Sequence, residues 1–173
     1  GGRATSAMVS GVDLLPTLVE AGGGNVPDDL DGRSFLPVLT GDADTHRDRI
    51  FTTHSGDRNM NVYPSRALRE RGWKLIHNLR PDLAFTSHSD LLRKDGAGGY
   101  WSEWAELAAE DASARDLLDD YYRSPEWELY HVDEDPWERQ NLADDPAHAR
   151  RLETMKEALS TWREAQGDGG EIF

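Results

Sequence analysis

No cysteine occurs among the 173 residues, which excludes a disulfide scaffold, a thiolate zinc site and a cysteine nucleophile within this chain. Lysine is almost as scarce: Lys74, Lys94 and Lys156 stand beside 16 arginines, and 33 acidic against 19 basic side chains leave a formal charge of −14. Nucleic-acid backbones and anionic membranes are held by clustered Lys and Arg, so a general polyanion-binding surface is excluded. Apolar runs extend no further than a handful of residues, too short to cross a bilayer. Internal repeats and low-complexity tracts are also lacking. The chain opens Gly1-Gly2-Arg3, with neither Met nor a charged-then-apolar leader, and reads as starting inside something longer. The missing signal peptide therefore carries no information.

What is present suffices for a core. Hydrophobic residues make up 37%, with six Trp, five Tyr and four Phe, which separates the chain from a disordered acidic tail. The length allows one compact domain, or a small domain with a piece of another. The preference for Arg over Lys and the excess of Asp (20) over Glu (13) have two readings. One is a GC-rich coding bias; the other is a hydrated acidic surface suited to high salt.

The spacing of Val12, Leu14, Leu15, Leu18 and Val19 predicts a short helix, with Ser10 and Asp13 near its start, Pro16 in its first turn and Gly22-Gly23-Gly24 stopping it. A turn-rich stretch over residues 27–33 leads into Ser34–Leu39 and closes at Thr40-Gly41-Asp42. β-Branched and aromatic residues predict a strand over Arg49–His54, then a polar loop over residues 55–62. A hairpin of Ser65–Arg69 and Trp73–Asn78 follows, joined at Glu70-Arg71-Gly72, where glycine supplies positive φ. Residues 80–124 form a polar insertion with two helical segments, around Trp101–Glu110 and Ser113–Tyr122. The next strand, Trp127–Val132, alternates Trp127, Leu129 and His131 against Glu128, Tyr130 and Val132, and the turn Asp133–Pro136 ends it. Ala149, Leu152, Met155, Leu159 and Trp162 recur at spacings of three and four, the core-facing stripe of a helix over residues 146–166 that Gly167 stops. The fold class is α+β: a small antiparallel sheet packed on a C-terminal amphipathic helix.

Four stretches carry a resemblance: Val9–Leu18, Asp31–Leu39, Arg69–Ile76 and Trp127–Ala143. In this order they resemble the sulfatases, formylglycine-dependent members of the alkaline phosphatase superfamily, over residues 6–165. Tyr63-Pro64-Ser65-Arg66, Leu75–Leu79 and Tyr121-Tyr122-Arg123 before the Trp127 strand are most similar to the sulfamidase branch. The resemblance implies that residues 1–45 are the end of a large α/β domain, and residues 46–173, with the 80–124 insertion, its smaller C-terminal subdomain. It also implies hydrolysis of sulfate esters or sulfamates, through a formylglycine nucleophile and a Ca2+ ion held by Asp and Asn. Both groups are expected N-terminal to this region, so no catalytic residue and no metal ligand is expected in the chain, which alone is expected to be inactive. Val62-Tyr63-Pro64-Ser65-Arg66 copies the last letters of the C/S-x-P-S-R motif, but a valine methyl cannot be oxidised to the aldehyde. The implied partners are the chain's own N-terminal catalytic domain and a sulfated sugar, without nucleic acid or membrane. The implied location for a prokaryotic parent is periplasmic or secreted. Two alternatives stand beside this: a non-catalytic glycan-binding or interaction module, or a fragment of a related phosphoester or phosphonate hydrolase.

Candidate residues are few. Asp28, Asp29 and Asp31, and separately Asp133, Glu134 and Asp135, lack the D-x-[DN]-x-[DN]-G calcium pattern and read as solvated turns. The six His show no H-E-x-x-H spacing, and no G-x-S-x-G elbow occurs. In the sulfatases the loop after the first subdomain strand faces the catalytic pocket, so His54 and Asp57 are the substrate-binding candidates, hydrogen-bonding sugar hydroxyls or an amine. Arg66 reads as a structural salt bridge in preference to a sulfate ligand. His88, Tyr100, Trp101 and Trp104 offer either a glycan-facing wall or packing beneath a long loop, the commoner use.

Overall fold

The computed structural model of the chain describes residues 2, 4–56, 61–91 and 99–170. Its contacts divide it into two units, Gly1–Ile50 with Arg69–Arg71, and Phe51–Leu68 with Gly72–Phe173.

In the first unit a 3-10 turn, Gly11–Asp13, runs into helix α1, Leu14–Ala21, and a further helical turn, α2, spans Leu36–Thr40. Thr17 ties the two together. Its hydroxyl donates to the Asp13 carbonyl (2.6 Å) and accepts from the Phe35 amide (3.0 Å). Gly32 passes so near the Val12 carbonyl that a Cβ would stand 1.9 Å from its oxygen, so glycine alone fits there. The apolar residues that shape α1 face outward: Val12, Leu14, Leu15 and Leu18 are exposed, Leu18 by 69%.

Four strands, β1 (Arg49–His54), β2 (Ser65–Glu70), β3 (Trp73–Asn78) and β4 (Trp127–His131), form one sheet in that order. Gly72, at φ 73°, makes the β2–β3 turn. β3 pairs antiparallel with β4, Leu75 opposite Leu129 and Ile76 opposite Glu128. Because side chains alternate, Trp73, Leu75, His77, Trp127, Leu129 and His131 share one face, and Lys74, Ile76, Asn78, Glu128 and Tyr130 share the other. The outer edge of β4 is occupied. Asn141 Oδ1 accepts from the Leu129 amide (2.9 Å), Asn141 Nδ2 donates to the Trp127 carbonyl (3.0 Å), and the Leu142 amide donates to the Leu129 carbonyl (2.8 Å).

Helix α6 runs from Ala149 to Gln166 after a 3-10 turn at Pro146–His148, which Asp145 caps through the Ala147 amide (2.9 Å). It therefore starts three residues later than its acidic, proline-bearing entry predicts, because that entry tightens into 3-10 geometry. Gly167 ends it in the left-handed conformation. Leu152, Met155 and Leu159 bury against Leu68, Leu75 and Leu129, and Trp162 stacks on Phe51 at 4.8 Å. Ala149, the first residue of the helix, is exposed and leaves the expected stripe; Ala158 packs on the core instead.

The insertion contains α3 (His88–Leu91), α4 (Tyr100–Glu110) and α5 (Ala112–Tyr122). α4 and α5 form a helical hairpin turning at Asp111, whose carboxylate caps the Ala114 amide (2.8 Å). Trp101 is buried, donating from Nε1 to Tyr122 Oη (2.9 Å), so it serves packing, whereas Tyr100 and Trp104 are exposed. The four-residue α3, with Asp90 accepting from the Ser87 amide (2.7 Å), is too short to leave a periodic pattern in sequence.

Arg66, 3% exposed, is the structural ion pair its position in β2 suggests. Its Nε and Nη2 donate to the two Asp168 carboxylate oxygens at 2.6 and 2.9 Å. Its Nη1 donates to the carbonyls of His54 (2.8 Å) and Ser65 (2.9 Å). One guanidinium thus joins the end of β1, the start of β2 and the segment just past α6. The hydrogen bond from Arg66 draws the Asp168 carboxyl down to about 2, against the opposing effect of burial.

Arg66→Ala removes two charge-assisted hydrogen bonds from the half-buried Asp168 carboxylate, which keeps Arg163 Nε (3.3 Å) and the Gly170 amide (3.0 Å), and leaves the His54 and Ser65 carbonyls without this donor, so urea unfolding is expected to show a loss of about 1–3 kcal/mol. The pH dependence has a definite sign. The unfolded carboxyl titrates near its ordinary value of about 3.9, so the contribution of Asp168 is complete above that value. It is lost as pH falls through the folded value of about 2, and Asp168→Asn is expected to flatten that acid limb.

Candidate functional site

The candidates at the end of β1 have different fates. Asp57 lies outside the described residues. His54, half-buried, has its ring Nε2 3.0 Å from the Asn61 carbonyl oxygen, which fixes Nε2 as the protonated nitrogen. Asn61 sits at φ 51°, a left-handed conformation that asparagine tolerates, and the same carbonyl accepts from the Tyr63 amide (2.7 Å). The His54 ring is therefore anchored across its own loop, and its backbone carbonyl is anchored by Arg66. Nδ1 remains the ring's acceptor.

A denser polar cluster centres on Asp13, fully buried. Its Oδ2 accepts from the Ser10 amide (2.9 Å), Arg47 Nε (2.6 Å) and His46 Nε2 (3.1 Å), and its Oδ1 from the Arg33 amide (3.0 Å) and Arg47 Nη2. Burial opposes its ionisation, but hydrogen bonds from Arg47 and from the Ser10 and Arg33 amides, with the Arg47 charge, outweigh it and hold the carboxyl well below the usual range. With every lone pair engaged and no exposure, Asp13 has nothing to offer a substrate; it is an organising residue. Sequence reading placed it at a helix start and missed Arg47 and His46, more than thirty residues away, because no local pattern links them.

The second unit carries an open cleft of about 750 Å3 on the sheet face opposite α6. Tyr63, Phe85, Tyr121 and Tyr130 line it. At its floor Asn78 Nδ2 donates to Glu128 Oε1 (2.6 Å) and to the Pro125 carbonyl (2.7 Å), and Tyr130 Oη donates to Glu128 Oε2 (2.5 Å). Burial, reinforced by the Glu128 carboxylate, pushes the Tyr130 phenol far up, so it stays a donor. Burial also raises Tyr63, against the opposing effect of hydrogen bonding with Ser124. Trp137, 83% exposed, with Arg123 and Arg139, stands at the mouth. The sequence held one signal of this site, the placing of Glu128 and Tyr130 on the face away from Leu129; what closes over them was invisible there.

The groups implied for whole sulfatases do not fit these residues. Among the described residues no set of three or more His, Asp or Glu side chains is placed to hold a metal ion. In the Val62–Arg66 run, Tyr63 and Pro64 are buried and Arg66 is committed to Asp168.

The four-stranded sheet backed by a C-terminal helix, entered through the Asp13-centred segment, defines the C-terminal portion of a sulfatase. Residues 1–91 match the family profile N-sulphoglucosamine sulphohydrolase, C-terminal, and the chain belongs to this family. It is 32% identical over 183 aligned positions to human N-sulphoglucosamine sulphohydrolase, covering 94% of this chain and 33% of that protein. It is 28% identical over 169 positions to an ulvan-active sulfatase of Formosa agariphila, covering 96% and 31%. Among solved structures, BT4656 in complex with its substrate D-glucosamine-2-N,6-O-disulfate shares the fold, with a TM-score of 0.62 and 21% identity over 95% of this chain and 26% of that one. The chain thus spans about a third of the length of these curated relatives.

If Asp13 organises the first unit, Asp13→Asn, equal in shape but uncharged, is expected to destabilise it by about 3 kcal/mol. Amide exchange should then accelerate selectively over residues 11–36.

Proposed function

We propose that this chain is the C-terminal part of a hydrolase that cleaves sulfate ester or sulfamate groups on a glycan, in the manner of the sulfamidases. The observation that carries the reading is its 32% identity to a sulfamidase along 94% of its own length. The nucleophile and the metal ligands, in this reading, lie in the remainder of the parent protein. In this reading residues 1–45 complete the large α/β domain and residues 46–173 form the smaller subdomain. The outward apolar face of α1, with Leu14, Leu15 and Leu18, then packs against the rest of that large domain. The compartment that follows for a prokaryotic parent is the periplasm or the exterior.

The contribution of this chain to the reaction is recognition. His54, with Nε2–H held by the Asn61 carbonyl, presents Nδ1 as an acceptor for a sugar hydroxyl. Asp57, three residues on, offers a carboxylate to a hydroxyl or an amine. Ca2+ and formylglycine, supplied by the catalytic domain, would polarise and attack the sulfur. The residues present here orient the sugar and take no bond-breaking step.

Three outcomes are expected. The purified chain releases no sulfate from an aryl sulfate with or without Ca2+; metal-dependent release would overturn the reading. In the parent enzyme, His54→Ala lowers kcat/KM for a sulfated glycan about tenfold or more, the worth of one or two hydrogen bonds, with little effect on an aryl sulfate that lacks the sugar. The isolated chain binds ANS or self-associates, and replacing Leu15 and Leu18 by Gln suppresses this. A dye-silent monomer before substitution would count against a buried large-domain surface.

A further inference from the structure

We propose that the cleft on the sheet face opposite α6 is a sugar-binding site for a glycan ring bearing an anionic substituent. The ligand class rests on the glycan reading above; the site itself rests on the geometry that follows.

The first argument is shape and lining. The cleft, about 750 Å3, falls in the size range of ligand sites, and the half-buried rings of Phe85 and Tyr121 give it an aromatic wall, while Tyr63 and Tyr130, which also line it, are buried. The C–H faces of a pyranose stack on such rings, while its hydroxyls need donors and acceptors at the periphery. The floor supplies them. Both Glu128 oxygens accept from neutral groups, Asn78 and Tyr130, and no cation pairs with this carboxylate among the described residues. A carboxylate held this way keeps lone pairs for sugar hydroxyls, and its orientation is preset.

The second argument is charge. The protein carries a formal −14, and the cleft lining itself holds three carboxylates, Asp120, Glu128 and Glu138, the last paired with Lys74 (2.6 Å); beside them stand two exposed arginines, Arg123 and Arg139, that make no ion pair to any described residue. Guanidinium groups bind sulfate and carboxylate by paired hydrogen bonds, so they select an anionic substituent held at the mouth, away from Glu128 at the floor. Trp137, exposed beside Arg139, adds a ring face at the entrance.

A peptide is the competing occupant. Extended peptides gain affinity by pairing with an open strand edge, but the outer edge of β4 is taken by Asn141 and Leu142. The polar groups here are side-chain amide, carboxylate and phenol, which suit hydroxyls better than a peptide backbone.

The test is a titration of the 173-residue chain, by calorimetry and tryptophan fluorescence, with a heparin-derived tetrasaccharide, its desulfated counterpart and an unstructured neutral peptide. Saturable binding of the sulfated sugar is expected. Trp137→Ala is expected to weaken it about three- to tenfold, the worth of one ring contact. The pair Arg123→Ala and Arg139→Ala is expected to weaken it at least about tenfold, while changing the desulfated sugar less than about twofold. These side chains are exposed, so the variants should keep the wild-type circular dichroism. No saturable binding by the folded wild type, affinity unmoved by either variant, or preference for the peptide overturns the proposal. Sugar binding of this pattern in a chain whose parent releases no sulfate from glycans supports the cleft and sinks the hydrolase reading instead.

Discussion

The second unit depends on one buried guanidinium. Arg66 holds Asp168 beyond the end of α6 and the carbonyl of His54 at the end of β1, so the helix cannot lift from the sheet without uncovering both charges. A buried ion pair is no guarantee of net stability, because desolvation offsets much of its attraction. What it supplies is registration. The apolar contacts of Leu152, Met155 and Leu159 tolerate small slides along the helix, whereas a bidentate fork does not. The strand end fixed in this way is also the one that presents His54, so the stabilising pair and the candidate recognition residue are mechanically the same device.

The first unit repeats the logic with the sign exchanged. There a buried carboxylate, Asp13, gathers two backbone amides, an arginine and a histidine from segments distant in sequence. This explains physically why the stretches Val9–Leu18 and Asp31–Leu39 occur together. Gly32 must come up against the Val12 carbonyl for the Arg33 amide to reach Asp13, and Thr17 then stitches α1 to Phe35. The unit is organised by polar groups while its apolar residues look outward.

The acidity of the chain also gains meaning from position. A net −14 forbids a broad cationic face, and it makes local exceptions informative. Arg47 and Arg66 are spent on the buried Asp13 and the half-buried Asp168, whereas Arg123 and Arg139 line the cleft without an ion pair to any described residue. A protein that binds anions through a few placed guanidiniums, on a surface otherwise repelling them, gains selectivity because non-specific polyanion binding is suppressed.

Much of the architecture was legible beforehand for local reasons. Strand β1, the hairpin with Gly72, the two insertion helices and the stop at Gly167 follow from period-two alternation, turn chemistry and helical spacing, all of which act over a few residues. The alternation of Trp127, Leu129 and His131 against Glu128 and Tyr130 was readable too, and so was the family, since its motifs are short and ordered. The details that failed were those that need a neighbour: the 3-10 entry to α6, the exposed Ala149, the brief α3. The same holds for the sites. That Val62 could not become a formylglycine was decided by the sequence alone, because it is a matter of covalent chemistry. That His54 is locked to Asn61, that Arg66 answers Asp168 across 102 residues, and that Glu128 accepts from Asn78 and Tyr130 in the cleft were decided only by the tertiary structure. Hydrogen bonds and ion pairs depend on distances in space, and a chain's local pattern does not encode which remote segments will meet.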